Sequence, residues 1–103
     1  KNHNAAAAKY TYRAANVQRW INKPGESKKL TKKIIFLTFD DGPSSLTPKI
    51  LDVLKAEKVP ATFFVLGKEA PKNKSTLRRM IAEGHAVTIH SYSHNYNYLY
   101  PGR

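Results

Sequence analysis

From residue 34 onward, apolar positions alternate between unbroken short runs and helix-spaced stripes. Ile34 to Phe39 is a continuous run with two β-branched isoleucines followed by Leu37 and Thr38, the pattern of a strand buried on both faces. Thr47 then offers a cap and Pro48 a first-turn residue for a helix that turns Ile50, Leu51 and Leu54 toward a core, and Val59-Pro60 ends it. Ala61 to Leu66 reads as a second buried strand and Gly67 to Lys72 as a loop. Asn73 or Ser75 caps a second helix with Leu77, Met80 and Ile81 inward. Gly84 suits the left-handed residue that closes such a helix, and Ala86 to Ile89 forms a third strand delivering His90 at its end. The order β-α-β-α-β predicts an α/β fold of parallel strands with right-handed crossovers.

The first thirty residues follow a different pattern. Ala5 to Ala8, Tyr10, Ala14, Val17 and Ile21 keep helical spacing over residues 5–21 with Trp20 beside the stripe, which predicts a short amphipathic helix. Asn22-Lys23-Pro24-Gly25-Glu26-Ser27 is a turn or linker signal. Residues 1–30 are therefore an N-terminal helix and linker, and residues 31–103 the main domain.

Composition narrows the partners. A hydrophobic content of 41% permits a core and excludes a disordered tail. A formal charge of +11 implies acidic surroundings: nucleic acid, an anionic membrane or an anionic wall polymer. Nucleic acid is disfavoured, because the lysines and arginines are scattered and no RNP, zinc-finger or Gly-rich phosphate pattern occurs. There is no cysteine to pair and no apolar run long enough to span a membrane.

The candidate chemistry sits in two segments. His90-Ser91-Tyr92-Ser93-His94 places two imidazoles four apart, on one helical turn or at the ends of a tight loop, where they can grip one metal ion. A carboxylate must complete such a site, and Thr38-Phe39-Asp40-Asp41-Gly42-Pro43 offers two at the mouth of the first strand. Adjacent aspartates on an extended chain point to opposite sides, so both can approach one ion only if the chain turns, and Gly42-Pro43 supplies a turn. His3 and His85 are taken as ordinary surface or core histidines. Ser91 and Ser93 are suited to holding the loop through backbone bonds. Tyr92 is carried as a substrate-binding candidate. It leads a run with Tyr96, Tyr98 and Tyr100 that suits a sugar surface but equally suits packing on a following helix.

Thr-Phe-Asp-Asp-Gly-Pro and His-Ser-Tyr-Ser-His resemble the first two signature motifs of the polysaccharide deacetylases, the carbohydrate esterases (family 4) built around the NodB homology domain. Ala61 to Gly67 and Glu83-Gly84-His85 add to the likeness, which covers about residues 33 to 100 and extends to the Gram-positive peptidoglycan N-acetylglucosamine deacetylases. The resemblance implies the first part of a distorted (β/α) barrel, incomplete in this chain. It implies that Asp41 joins His90 and His94 on one divalent transition metal, most simply zinc with cobalt or nickel able to substitute. It implies that Asp40 is the general base on the attacking water.

The implied activity is hydrolysis of N-acetyl groups from an amino-sugar polymer, peptidoglycan first, outside the cell or at its wall. Alternatives are deacetylation of O-acetyl xylan or chitin oligomers, or a non-catalytic wall-binding fragment. The family's later arginine, aspartate and histidine motifs do not appear before Arg103. A barrel cannot close on three strands, so a second polypeptide running on from Arg103 is expected to complete the domain.

Overall fold

The structure is a computed structural model and describes residues 5 and 7–102. Three parallel strands, β1 (Thr38–Gly42), β2 (Thr62–Leu66) and β3 (Ala86–Ser91), lie side by side in sequence order. Two helices make the crossovers, α2 (Thr47–Glu57) between β1 and β2 and α3 (Lys74–Ala82) between β2 and β3. Another helix, α1 (Ala14–Asn22), precedes the sheet and the single turn α4 (Tyr96–Leu99) follows it. This is the α/β order read from the hydrophobic pattern.

Strand alternation explains where the core lies. Phe39, Phe63 and Val87 are in register across the sheet. Together with Val65 they meet Leu51 and Leu54 of α2 and Met80 of α3 in one apolar cluster. Phe39 and Phe63 stack with ring centroids 5.1 Å apart. Leu51 and Met80 are fully buried, so truncating either to alanine should cost about 2–5 kcal/mol. The intervening row, Asp40, Phe64 and Thr88, turns to the opposite face, which no helix of the core cluster covers. Both crossovers on one side of a sheet ordered 1-2-3 is the start of a barrel wall rather than of a doubly wound sheet.

Both crossover helices end on a left-handed residue. At α3, Gly84 has φ +87°, His85 N–H donates to Met80 C=O at 3.0 Å and Gly84 N–H to Ile81 C=O at 3.1 Å, the closure expected of this glycine. At α2 the same pair of bonds runs from Val59 to Leu54 and from Lys58 to Lys55, but the left-handed position is Lys58, φ +56°.

Several expectations need correction. β1 begins at Thr38 rather than Ile34, and Ile35, Phe36 and Leu37 are 90%, 54% and 40% exposed rather than buried on both faces. Pairing starts only where Leu37 C=O accepts Thr62 N–H at 2.9 Å. Among the described residues β1 has a neighbour on one side alone. The N-terminal helix over 5–21 is broken into a 3₁₀ turn, Ala8–Tyr10, and α1. Thr11 and Arg13 between them are extended, and Thr11 Oγ1 donates to Ala7 C=O at 2.8 Å, the local bond by which threonine competes with a helix. The linker after α1 and the loop after β2 are 3₁₀ turns, Pro24–Lys29, Gly67–Glu69 and Pro71–Asn73.

Thr47 is the first helical residue and not the cap; its Oγ1 accepts Ser44 N–H at 2.9 Å, holding the loop ahead of the helix. Asn73 flanks α3 without a side-chain cap bond, its amide instead donating to Glu69 C=O, and Ser75 lies inside the helix. Ile81 is 45% exposed, not inward. β3 runs on through His90 to Ser91. His3 and the junction at Arg103 lie outside the described residues. Among the described residues no helix is long and apolar enough to cross a membrane.

Candidate functional site

The carboxyl ends of β1 and β3 bring the motif residues together, although β2 lies between the two strands. His90 sits at an irregularity of β3: Val65 pairs with Ile89 and Leu66 with Ser91, so His90 has no partner on β2. Asp41, next after Asp40 on β1, would point toward the helices if β1 ran straight. It does not run straight: Asp41 has φ +68°, and the register with β2 shifts between Asp40 and Gly42. The bulge re-aims the side chain, and Asp41 Oδ1 lies 3.4 Å from His90 Nε2 and 3.8 Å from His94 Nε2. The expected turn is therefore present but falls at Asp41 itself, ahead of Gly42-Pro43.

The histidines occupy the two ends of a tight loop, not a helical turn. His90 is in β3, and His94 has φ +54°. Ser91 Oγ accepts the His94 N–H at 2.8 Å, which is the loop-holding bond anticipated for this serine. The imidazole rings stack at 5.0 Å with an 11° tilt. One donor atom from each of Asp41, His90 and His94 lies within 4.8 Å of the others. Two of the three residues are non-glycine residues in the left-handed region, a backbone state that costs about 1–3 kcal/mol and collects at functional sites.

This arrangement fits a cation. Two imidazoles and one carboxylate form a donor set suited to zinc and its neighbours rather than to magnesium or calcium, and three protein ligands leave positions open. Asp40 stands one residue away on β1, exposed and in register with Phe64 and Thr88.

Two neighbours were not singled out from the chain. Tyr96, rather than Tyr92, meets the cluster, its ring edge-on to His94 at 5.1 Å. Its place in the tyrosine run was the available signal. Gly67 is the other: a Cβ there would stand 2.9 Å from Tyr92 Cδ2, and the next backbone amide, Lys68 N–H, donates to Tyr92 C=O at 3.0 Å. Tyr92 is thus 75% exposed, laid over the end of β2 beside the site. His85 is a core histidine at the opposite end of β3, its Nδ1 accepting Ala61 N–H at 3.1 Å and its ring edge-on to Phe63. Burial lowers its pKa.

This chain is similar to known proteins. A family model described as polysaccharide deacetylase matches residues 27–101. The peptidoglycan-N-acetylglucosamine deacetylase PgdA of Listeria monocytogenes is 49% identical over 75 residues, which are 72% of this chain and 16% of that protein. The chitooligosaccharide deacetylase of Sinorhizobium fredii is 51% identical over 61 residues, 58% of this chain and 28% of that protein. The solved structure of a Streptococcus mutans CE4 esterase aligns with a TM-score of 0.81 at 48% identity, covering 97% of this chain and 40% of that one.

Proposed function

This chain belongs to the polysaccharide deacetylase family, and we propose that it carries the cation-binding part of a site that hydrolyses N-acetyl groups from an amino-sugar polymer and releases acetate. Peptidoglycan N-acetylglucosamine is the substrate this reading favours, outside the cell or at its wall, since the relative from Listeria is named for that activity. The observation that carries the proposal is the convergence of Asp41, His90 and His94 donors at the carboxyl ends of parallel strands.

In this reading His90 and His94 bind through neutral imidazoles and Asp41 through its carboxylate. Zinc, or cobalt or nickel in its place, supplies when bound a lowered pKa for water and a Lewis acid for the acetyl carbonyl. Asp40 is not needed as a ligand. Its carboxylate, next in the chain to the Asp41 ligand, takes the proton from the attacking water, a role a side chain committed to a cation cannot fill. Tyr92 and Tyr96 flank the histidines and give the polymer an aromatic surface.

Further polypeptide beyond Arg103 belongs to the same reading. The outer edge of β1, unpaired among the described residues, supports it, as does the 40% share of the similar esterase structure that this chain spans. The two aspartates separate the roles experimentally. In the intact protein Asp40→Asn should retain zinc and lose on the order of a hundredfold in turnover, whereas Asp41→Asn should lose zinc. Identical behaviour of the two variants would defeat the division of labour.

A further inference from the structure

The charge of this chain is unevenly spread. Residues 1–33 contain nine of the 18 Lys and Arg but only one of the 7 acidic residues, Glu26, so +8 of the formal +11 lies ahead of the sheet. Glu26 itself is engaged with Arg19 at 3.0 Å. Here α1, the 3₁₀ turn after it and the stretch leading into β1 enclose an open cavity of about 680 Å³. Its wall is apolar and aromatic, with Trp20, Leu30, Ile34 and Phe36, and Lys32 and Lys33 stand on it. Tyr12 braces the wall edge-on to both Trp20 and Phe36, each at 6.0 Å. Neither lysine has an ion-pair partner among the described residues.

We propose that this cavity is a second glycan subsite that binds an acidic polysaccharide, sugar rings lying on Trp20 and Phe36 while carboxylate or phosphate groups of successive units pair with Lys32 and Lys33. The cavity requires an occupant with both an apolar face and regular negative charge. A pyranose ring offers C–H groups on its face, so an acidic glycan satisfies both requirements in one repeat. A single-stranded nucleic acid would offer stacking and charge as well; membership of a polysaccharide-processing family decides for the glycan. The subsite is separate from the aspartate and histidine cluster. Phe36 precedes Asp41 by five residues and lies beyond the amino end of β1, whereas Asp41 lies at its carboxyl end. Binding there would hold the protein on an anionic wall polymer while the other end of the sheet works on a neutral, acetylated chain.

Trp20 stands in the cavity wall, so a change in tryptophan emission that is lost in Trp20→Phe reports on the cavity. Titrating polygalacturonate into the intact protein at low salt should give a saturable change in that emission, weakening as salt rises. Neutral dextran should give none. Lys32→Gln/Lys33→Gln, two exposed positions whose change leaves the core untouched, should weaken binding about tenfold or more, since each removed pair acts at short range. The charge-matched control Lys72→Gln/Lys74→Gln should weaken it far less. Equal loss in both double variants, or no saturable change, would overturn the proposal. So would tighter binding of poly(dT) or of phosphatidylglycerol vesicles. Acetate release from a neutral chito-oligomer should be unchanged in Lys32→Gln/Lys33→Gln, which keeps this test independent of the proposed hydrolysis.

Discussion

Asp41 combines an exposed carboxylate with a backbone conformation that L-residues avoid, and the two can be pulled apart by mutation. At φ +68° a Cβ costs roughly 1–2 kcal/mol relative to glycine. Glycine returns part of that through the extra freedom of the unfolded chain, about 0.5–1 kcal/mol. Asp41→Ala removes the carboxylate and keeps the Cβ, whereas Asp41→Gly removes both. With metal chelated, Asp41→Gly should therefore be more stable than Asp41→Ala by about 1 kcal/mol. The parent should lie close to the alanine variant, because the carboxylate meets the histidines only at 3.4 and 3.8 Å and is largely exposed, where such pairs contribute little. Both variants should lose zinc. Urea or thermal unfolding of the intact protein in chelator reads the first difference and metal analysis the second. If Asp41→Gly were no more stable than Asp41→Ala, the strain at this position would not be stored for the site, and Asp41 would be an ordinary turn residue.

Lys58 occupies the left-handed closing position of α2 at φ +56°, so Lys58→Gly should raise stability by about 1 kcal/mol in denaturant titration and leave activity unchanged. Gly67→Ala should push a methyl group into the Tyr92 ring and backbone, costing about 1–3 kcal/mol and weakening zinc binding through the displaced loop; unaltered metal affinity would count against a coupling of Tyr92 to the histidines. Burial, with a smaller push from Arg79 that Glu83 opposes, lowers the His85 pKa below its ordinary 6.5. The unfolded chain then takes up that proton first, and stability should fall as pH drops below about 6.5 toward the lower folded value. In chelator, the urea midpoint of His85→Gln should decline less steeply between pH 7 and 5; an identical slope would remove His85 as the cause.

The alternation of apolar runs and helix-spaced stripes made β2, both crossover helices and β3 legible, because each buries a face that only that period can bury. Gly84 was legible for the same local reason, a left-handed closure without a Cβ. The start of β1 was not. Ile34 to Leu37 has the composition of a buried strand, yet burial depends on a neighbour that composition does not name. The break at Thr11 to Arg13 was missed because alanine and tyrosine spacing continued through it while Thr11 bonded to its own backbone. At the site, the residue types and their separation pointed to His90, His94 and an aspartate pair, and the family resemblance singled out Asp41 from that pair; the device that brings the three together, left-handed backbone at Asp41 and His94, is a tertiary choice. Tyr96 and Gly67 acquire meaning only once the loop is folded over β2.

The central claim, a cation-dependent deacetylase site built on Asp41, His90 and His94, is tested most directly by acetate release. The intact protein would be incubated with tetra-N-acetylchitotetraose after chelation and again after zinc is restored, beside His94→Ala treated in the same way. The account predicts no acetate from the chelated protein, recovery with about one equivalent of zinc, and no recovery in His94→Ala. Undiminished acetate release from the chelated protein, or full recovery in His94→Ala, would contradict it.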